Sequence, residues 1–200
     1  MRIKWVGLFF SVSIIFCLPF HVSAQKVIYG VHMGGKEIGQ ITASLTKTDT
    51  TQTYQVFSDV KFKVLWKNYH RTTTHHVIYE NEFLKTSLSN VSMNNELEDS
   101  ARMNFNQDAY DCYRYPDKEY SADHGEINYT TARLYFDEPV GIKNIYSERF
   151  LAFCPLESLG DHKYKLYLTN GKENYYTYSD GILTEVFVDR TWFNLTFRQK

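Results

Sequence analysis

The chain reads as an all-β protein, an antiparallel meander that forms a strongly curved sheet or an open β-barrel. Three observations point there. Apolar and polar residues alternate with period two over most of its length, turn-forming Gly, Asn and Asp separate the alternating runs, and no stretch carries a convincing helical stripe. Tyr and Phe are abundant, at 16 and 14 of 200 residues, and with Thr and Val they suit pleated, half-buried strands.

The elements follow in chain order. Val27, Tyr29, Val31 and Met33 alternate with smaller or polar residues, and Met33-Gly34-Gly35-Lys36 reads as a tight hairpin. Ile41, Ala43 and Leu45 form the next apolar face, Tyr54 and Val56 continue it, and Val60, Phe62 and Val64 complete it. Glu80-Asn81-Glu82 marks a turn between Thr72–Tyr79 and Phe83–Leu88. The segment from Asn94 to Tyr120 is the most polar and irregular, and is expected to be a long connection with one or two edge strands. Ile145 to Phe153 is the best place for one short helical turn, with Ser147 as its cap and Pro155 as its stop. Tyr164, Leu166 and Leu168, then Ile182, Val186 and Val188, then Phe193, Leu195 and Phe197 supply the last strands. Asn170-Gly171 and Ser179-Asp180-Gly181 separate them, since these pairs reach the positive φ that hairpin turns need. About ten strands in one meander must curl, close or stack to bury an apolar face. A β-sandwich is the alternative architecture.

The first 24 residues have the anatomy of a secretory signal peptide. Arg2 and Lys4 precede an apolar run from Val6 to Phe20, and Val22-Ser23-Ala24 is a small-residue cleavage site. Taking 24 residues from 200 leaves 176, enough for a single β-rich domain over 25–200. Export to the periplasm or the extracellular space is the expected localisation. Loss of Arg2 and Lys4 moves the formal charge from −1 to −3. That balance excludes the basic excess that nucleic-acid binding needs, and membrane association is not predicted from it. In an oxidising compartment Cys112 and Cys154 can pair, or stay as two buried thiols; spacing alone decides neither. No cofactor motif is present, and the cysteines and histidines lack metal-ligand spacing.

Candidate chemistry is sparse. His75 and His76 are adjacent and so point to opposite faces of a strand, while His70 shares the parity of His76. Ser158, Asp161 and His162 sit too close in sequence for a triad and read as a turn. Carboxylates that would suit a hydrolase include Asp137, Glu138, Glu148, Glu157 and Glu185. Of these Glu148 is the one catalytic candidate, because a short turn in a β protein often rims a site. Trp66, Trp192 and the tyrosines either pack the core or line a sugar or lipid site.

One set of stretches is locally distinctive: Leu134-Tyr135-Phe136-Asp137-Glu138-Pro139, Tyr146-Ser147-Glu148-Arg149-Phe150, Tyr164-Lys165-Leu166, Asn170-Gly171, Asn174-Tyr175-Tyr176-Thr177-Tyr178 and Asp180-Gly181. With Tyr29-Gly30, Gly35 and Ile38-Gly39, they make the chain resemble an uncharacterised family of exported proteins of Bacteroidetes-type bacteria, a domain of unknown function. The resemblance covers most of residues 25–200 and implies a β-rich fold and an envelope location, with no catalytic residues to carry over. The opening pattern is also similar to periplasmic proteins with curved antiparallel sheets, some of which hold lipids or acyl chains. Three functions follow as expectations. A carrier or binding module for an apolar small molecule or lipid-like ligand comes first. An eight-stranded outer-membrane barrel and an envelope sugar or lipid hydrolase are the alternatives.

Overall fold

The structure is a computed structural model that describes residues 22–116, 118–122, 125–189 and 193–200. The expected signal peptide therefore lies almost wholly outside the described residues, as does Trp192.

Fourteen strands form a single antiparallel meander among the described residues. They are β1 (Ser23–Met33), β2 (Lys36–Lys47), β3 (Thr51–Val64), β4 (Lys67–Glu80), β5 (Phe83–Met93), β6 (Glu96–Asn106), β7 (Ala109–Arg114), β8 (Lys118–Ala122), β9 (Asn144–Ser147), β10 (Ala152–Gly160), β11 (Lys163–Tyr167), β12 (Glu173–Ser179), β13 (Ile182–Val188) and β14 (Leu195–Gln199). The spatial order runs from β8 down to β1, then from β14 down to β9. Strand β1 thus sits mid-sheet, paired with β2 on one side and β14 on the other. Strands β8 and β9 are the two edges, so the barrel is open.

The inward face carries the apolar alternation. Tyr29 and Val31 of β1, Ile41, Ala43 and Leu45 of β2, and Tyr54, Val56 and Val60 of β3 are all buried in one core with Val77, Leu84, Met103, Leu166 and Val186. A slip of one residue in any of these strands would turn that set outward, which is why the burial pattern pins the register. Gly39 fixes one contact: a Cβ there would lie 2.1 Å from the Asp59 carbonyl oxygen and 2.7 Å from Val60 Cα, so β2 and β3 close only around glycine.

Two expectations need correction. The segment Asn94–Tyr120 holds three strands, all of β6 and β7 and the start of β8, because Asn94 and Asn95 (φ 52° and 70°) make a tight hairpin turn where irregular chain was expected. The region Ile145–Phe153 is two strand ends joined by a turn, and the Ser147 hydroxyl accepts the Phe150 N–H within that turn. The described helical element, a 3-10 turn at Arg133–Tyr135, falls in the distinctive Leu134–Pro139 stretch instead.

Together with the residues before it, from 127 onward, that stretch covers one end of the open barrel. The Ile127 carbonyl accepts from Leu84 N–H of β5, while Tyr129 and Thr131 exchange backbone bonds with Tyr146 of β9. The chain is thereby tied to the interior strand β5 and to the edge strand β9. It then crosses the barrel end as a plug. Leu134 is fully buried, its carbonyl accepts the Tyr178 hydroxyl at 2.8 Å, and the Tyr79 hydroxyl donates to Thr130 Oγ1 at 2.9 Å. Tyr29 packs edge-on against Tyr135, and Tyr54 against Phe136. Burying tyrosines is tolerable here because the hydroxyls of Tyr29, Tyr54, Tyr79, Tyr129 and Tyr178 find acceptors. Burial also raises the phenol pKa values of Tyr29, Tyr54, Tyr79, Tyr129, Tyr135 and Tyr178 well above their ordinary value.

Candidate functional site

A plugged end and an open end make the barrel a cup. Its cavity, about 460 Å³, has Tyr135 of the plug in its floor and Ile38, Phe62, Met93 and Leu195 toward its mouth. The volume lies in the ~300–1,000 Å³ range of small-ligand sites. A second depression of about 550 Å³ shares Ile38 and Phe62 with it and extends along the β3–β4 hairpin.

The lining is amphipathic. One wall, from β1–β3, β13 and β14, is apolar: Val31, Ile41, Val56, Val60, Val188 and Phe197. Polar groups adjoin it, since His75, Thr73 and Arg71 of β4 pair directly with Val56, Ser58 and Val60 of β3. Strand β4 turns Arg71, Thr73 and His75 inward at period two, and the turn after β9 adds Arg149. Asn170, Lys172 and Asn174 complete the polar rim.

These polar groups carry uneven charge. Arg71 Nη1 lies 3.1 Å from Glu98, and Asp99 holds Arg149 Nε at 2.9 Å and Arg114 Nη2 at 3.5 Å. Three guanidiniums thus share two carboxylates, and each guanidinium has five donors. Burial lowers the Arg71 pKa, and the neighbouring Arg149 charge pushes it the same way. An anion between them would relieve that repulsion.

Deeper in, polar atoms stand unpartnered. His75 Nδ1 is sealed from solvent and has no hydrogen-bond partner among the described residues, and neither do the buried hydroxyls of Ser87 and Ser89. His75 faces Ser89 directly across β4 and β5. Burial lowers the His75 pKa, with the Glu148 charge opposing and the Arg149 charge adding to the shift, so the ring is neutral near pH 7.

The residues singled out from sequence fall as follows. Glu148 is fully buried, yet lines neither cavity. Its Oε1 accepts the Ala132 N–H at 2.9 Å and its Oε2 accepts the Thr131 hydroxyl, so both oxygens hold the plug. His75 and His76 do point to opposite faces, and His70 shares the outer face, where it meets Asp59 at 3.1 Å. Asp161 and His162 form the β10–β11 turn at φ 48° and 59°. His162 is 62% exposed and contacts Glu138 at 2.9 Å, with Ser158 elsewhere on β10. Asp137 binds Arg133, Glu157 accepts from Tyr167, and Glu185 binds Arg198, so these carboxylates stand apart on separate partners. Cys112 and Cys154 are buried and are not joined in a disulfide. No cluster of metal-ligating side chains exists among the described residues. Arg71 and Arg149 escaped sequence reasoning. Arg71 has the same parity as His75, which was the available signal; Arg149 reaches the wall only through the chain reversal after β9.

The fold and its lining define a class: a one-ended antiparallel β-cup with an amphipathic cavity. Residues 29–200 match the family model of a domain of unknown function, DUF6134, and the chain belongs to that family. None of the curated proteins matches it. Among solved structures it is similar to a beta-barrel-like protein of domain of unknown function DUF1849 from Brucella abortus, at 9% identity and a TM-score of 0.50. That likeness covers 88% of this chain and 95% of the other, and it concerns the fold.

Proposed function

We propose that the cup binds an amphipathic, lipid-like molecule with an acidic head, in a protein exported to the bacterial envelope. The amphipathic lining carries this reading. An acyl chain fits the apolar wall of β1–β3, β13 and β14, where each methylene removed from water contributes about 0.8 kcal/mol. Its head group lies against Arg71 and Arg149, whose spare donors suit a carboxylate or phosphate. The His75 ring, which lines the same cavity, offers a further hydrogen bond through Nδ1.

The alternatives fit less well. A hydrolase built on Glu148 needs that carboxylate free to meet substrate, and it is taken up by the plug. An outer-membrane barrel carries its apolar residues outward, whereas here they face in.

The test is displacement of a fluorescent fatty acid from the protein by a long-chain alkanoate and by its methyl ester. The acid is expected to bind about tenfold more tightly than the ester, a difference of one charge-assisted contact. Replacing Arg71 and Arg149 together by Ala should erase that difference. Equal affinity for acid and ester in the unmodified protein would remove the head-group assignment, and no saturable binding of either would remove the cavity reading.

A further inference from the structure

The longest hairpin of the fold ends in large apolar side chains. Strands β3 and β4 run 14 residues each and pair to the last rung, Val64 with Lys67. The two tip residues are Leu65, 77% exposed, and Trp66, 76% exposed, with Val64 beside them at 41%. Leu65 takes φ 55°, a conformation that favours Gly or Asn. Lone exposed apolar residues are ordinary on a surface, but three in succession on a projecting turn are not.

Charge surrounds the tip. Lys61, Lys63 and Lys67 are exposed on the same hairpin, and none has an ion-pair partner among the described residues. Two nearby acids are occupied, Asp59 of β3 by His70 of β4 at 3.1 Å and Glu37 of β2 by Lys200 at 2.5 Å. Phe62 lies between Lys61 and Lys63 and lines both the cavity mouth and the second depression. It stacks on Tyr69 at 5.3 Å. Phe62 thus places this hairpin at the mouth of the cup.

We propose that this hairpin docks the protein on an anionic lipid surface, with Leu65 and Trp66 in the bilayer interface and Lys61, Lys63 and Lys67 on the head groups. Trp is the side chain best suited to that boundary, since its ring is apolar and its N–H polar. Lysines add attraction to anionic lipid and none to a neutral one. The lysine ring selects a charged membrane over an apolar protein groove as the occupant. The docking stands on the tip alone; only its consequence, that the mouth meets the membrane, rests on the cavity reading.

The experiment is vesicle flotation with the chain from Val22 onward, which contains every described strand and omits the N-terminal apolar run. Vesicles are pure phosphatidylcholine or phosphatidylcholine mixed with phosphatidylglycerol. The protein should float with the anionic vesicles and bind them about tenfold better than the neutral ones at low salt. Leu65→Ser with Trp66→Ser should lower that binding at least about tenfold while leaving alkanoate binding unchanged. Lys61→Glu, Lys63→Glu and Lys67→Glu together should abolish the preference for anionic lipid. Absence of flotation with anionic vesicles overturns the proposal, as does undiminished flotation of the Ser–Ser variant. A tip that instead drives concentration-dependent dimerisation, lost in the same variant without vesicle binding, also overturns it. Flotation that persists in a protein unable to bind alkanoate would sink the cavity reading and leave the docking intact.

Discussion

Removing the Glu148 carboxylate should unfasten the plug. Glu148→Ala deletes the acceptor of the Ala132 N–H and of the Thr131 hydroxyl, both at a buried site. Hydrogen bonds to a charged group contribute about 1.5–3 kcal/mol each, so losing both costs about 3–6 kcal/mol. The Thr131 hydroxyl can turn to another acceptor, but the Ala132 amide cannot, which places the expected loss at about 3–5 kcal/mol. For a domain of this size that lowers Tm by about 10 °C. Glu148→Gln keeps one carbonyl acceptor and offers an amide to the Thr131 oxygen, so its cost should be about 1 kcal/mol. Urea unfolding followed by circular dichroism measures both, and limited proteolysis within residues 127–138 shows whether the plug loosens first. An Ala variant within about 1 kcal/mol of the unmodified protein would show that Glu148 does not fasten the plug. The carboxylate would then be free for another role, and the hydrolase reading would reopen.

Other outcomes follow from the same geometry. Gly39→Ala sets a Cβ 2.1 Å from a backbone oxygen, and should destabilise by at least about 2 kcal/mol in urea unfolding. His75 has a lowered folded pKa, so the unfolded chain binds its proton first as pH falls. Stability should therefore be full above about pH 6.5 and decline below it by up to about 1.4 kcal/mol per pH unit, with His75→Gln removing that part of the slope. The plug tyrosines have raised folded pKa values, so the sign reverses. Their contribution should be intact below about pH 10 and lost as pH climbs toward the folded values, with phenolate absorbance and loss of circular dichroism appearing together. Phenolate absorbance rising independently near pH 10 in a folded protein would contradict their burial.

Much of the barrel was legible in the chain because alternation and turn chemistry are local. Gly34-Gly35, Asn81-Glu82 and Asp180-Gly181 fall in the expected turns and all take positive φ. The Leu65-Trp66 turn was silent because neither residue is a turn former. The strand β6 was missed because Glu96, Glu98 and Asp99 obscure the apolar face that Ala101 and Met103 carry. The site was less legible still. Arg71 and Arg149 are 78 positions apart, and only barrel curvature and the β9 turn set both against one cavity. Glu148 stood out in sequence for its place in a turn, but its partners come from the plug, which no periodicity announces.

The central question is whether the cup holds its ligand inside. Titration of isotope-labelled protein with a long-chain alkanoate, followed by NMR, tests that directly. Saturable shifts should appear at Val31, Ile41, Val56, His75 and Leu195, inside the cavity, at one ligand per chain. Shifts confined to the outer face of the barrel, or no saturable shift at all, would contradict the account.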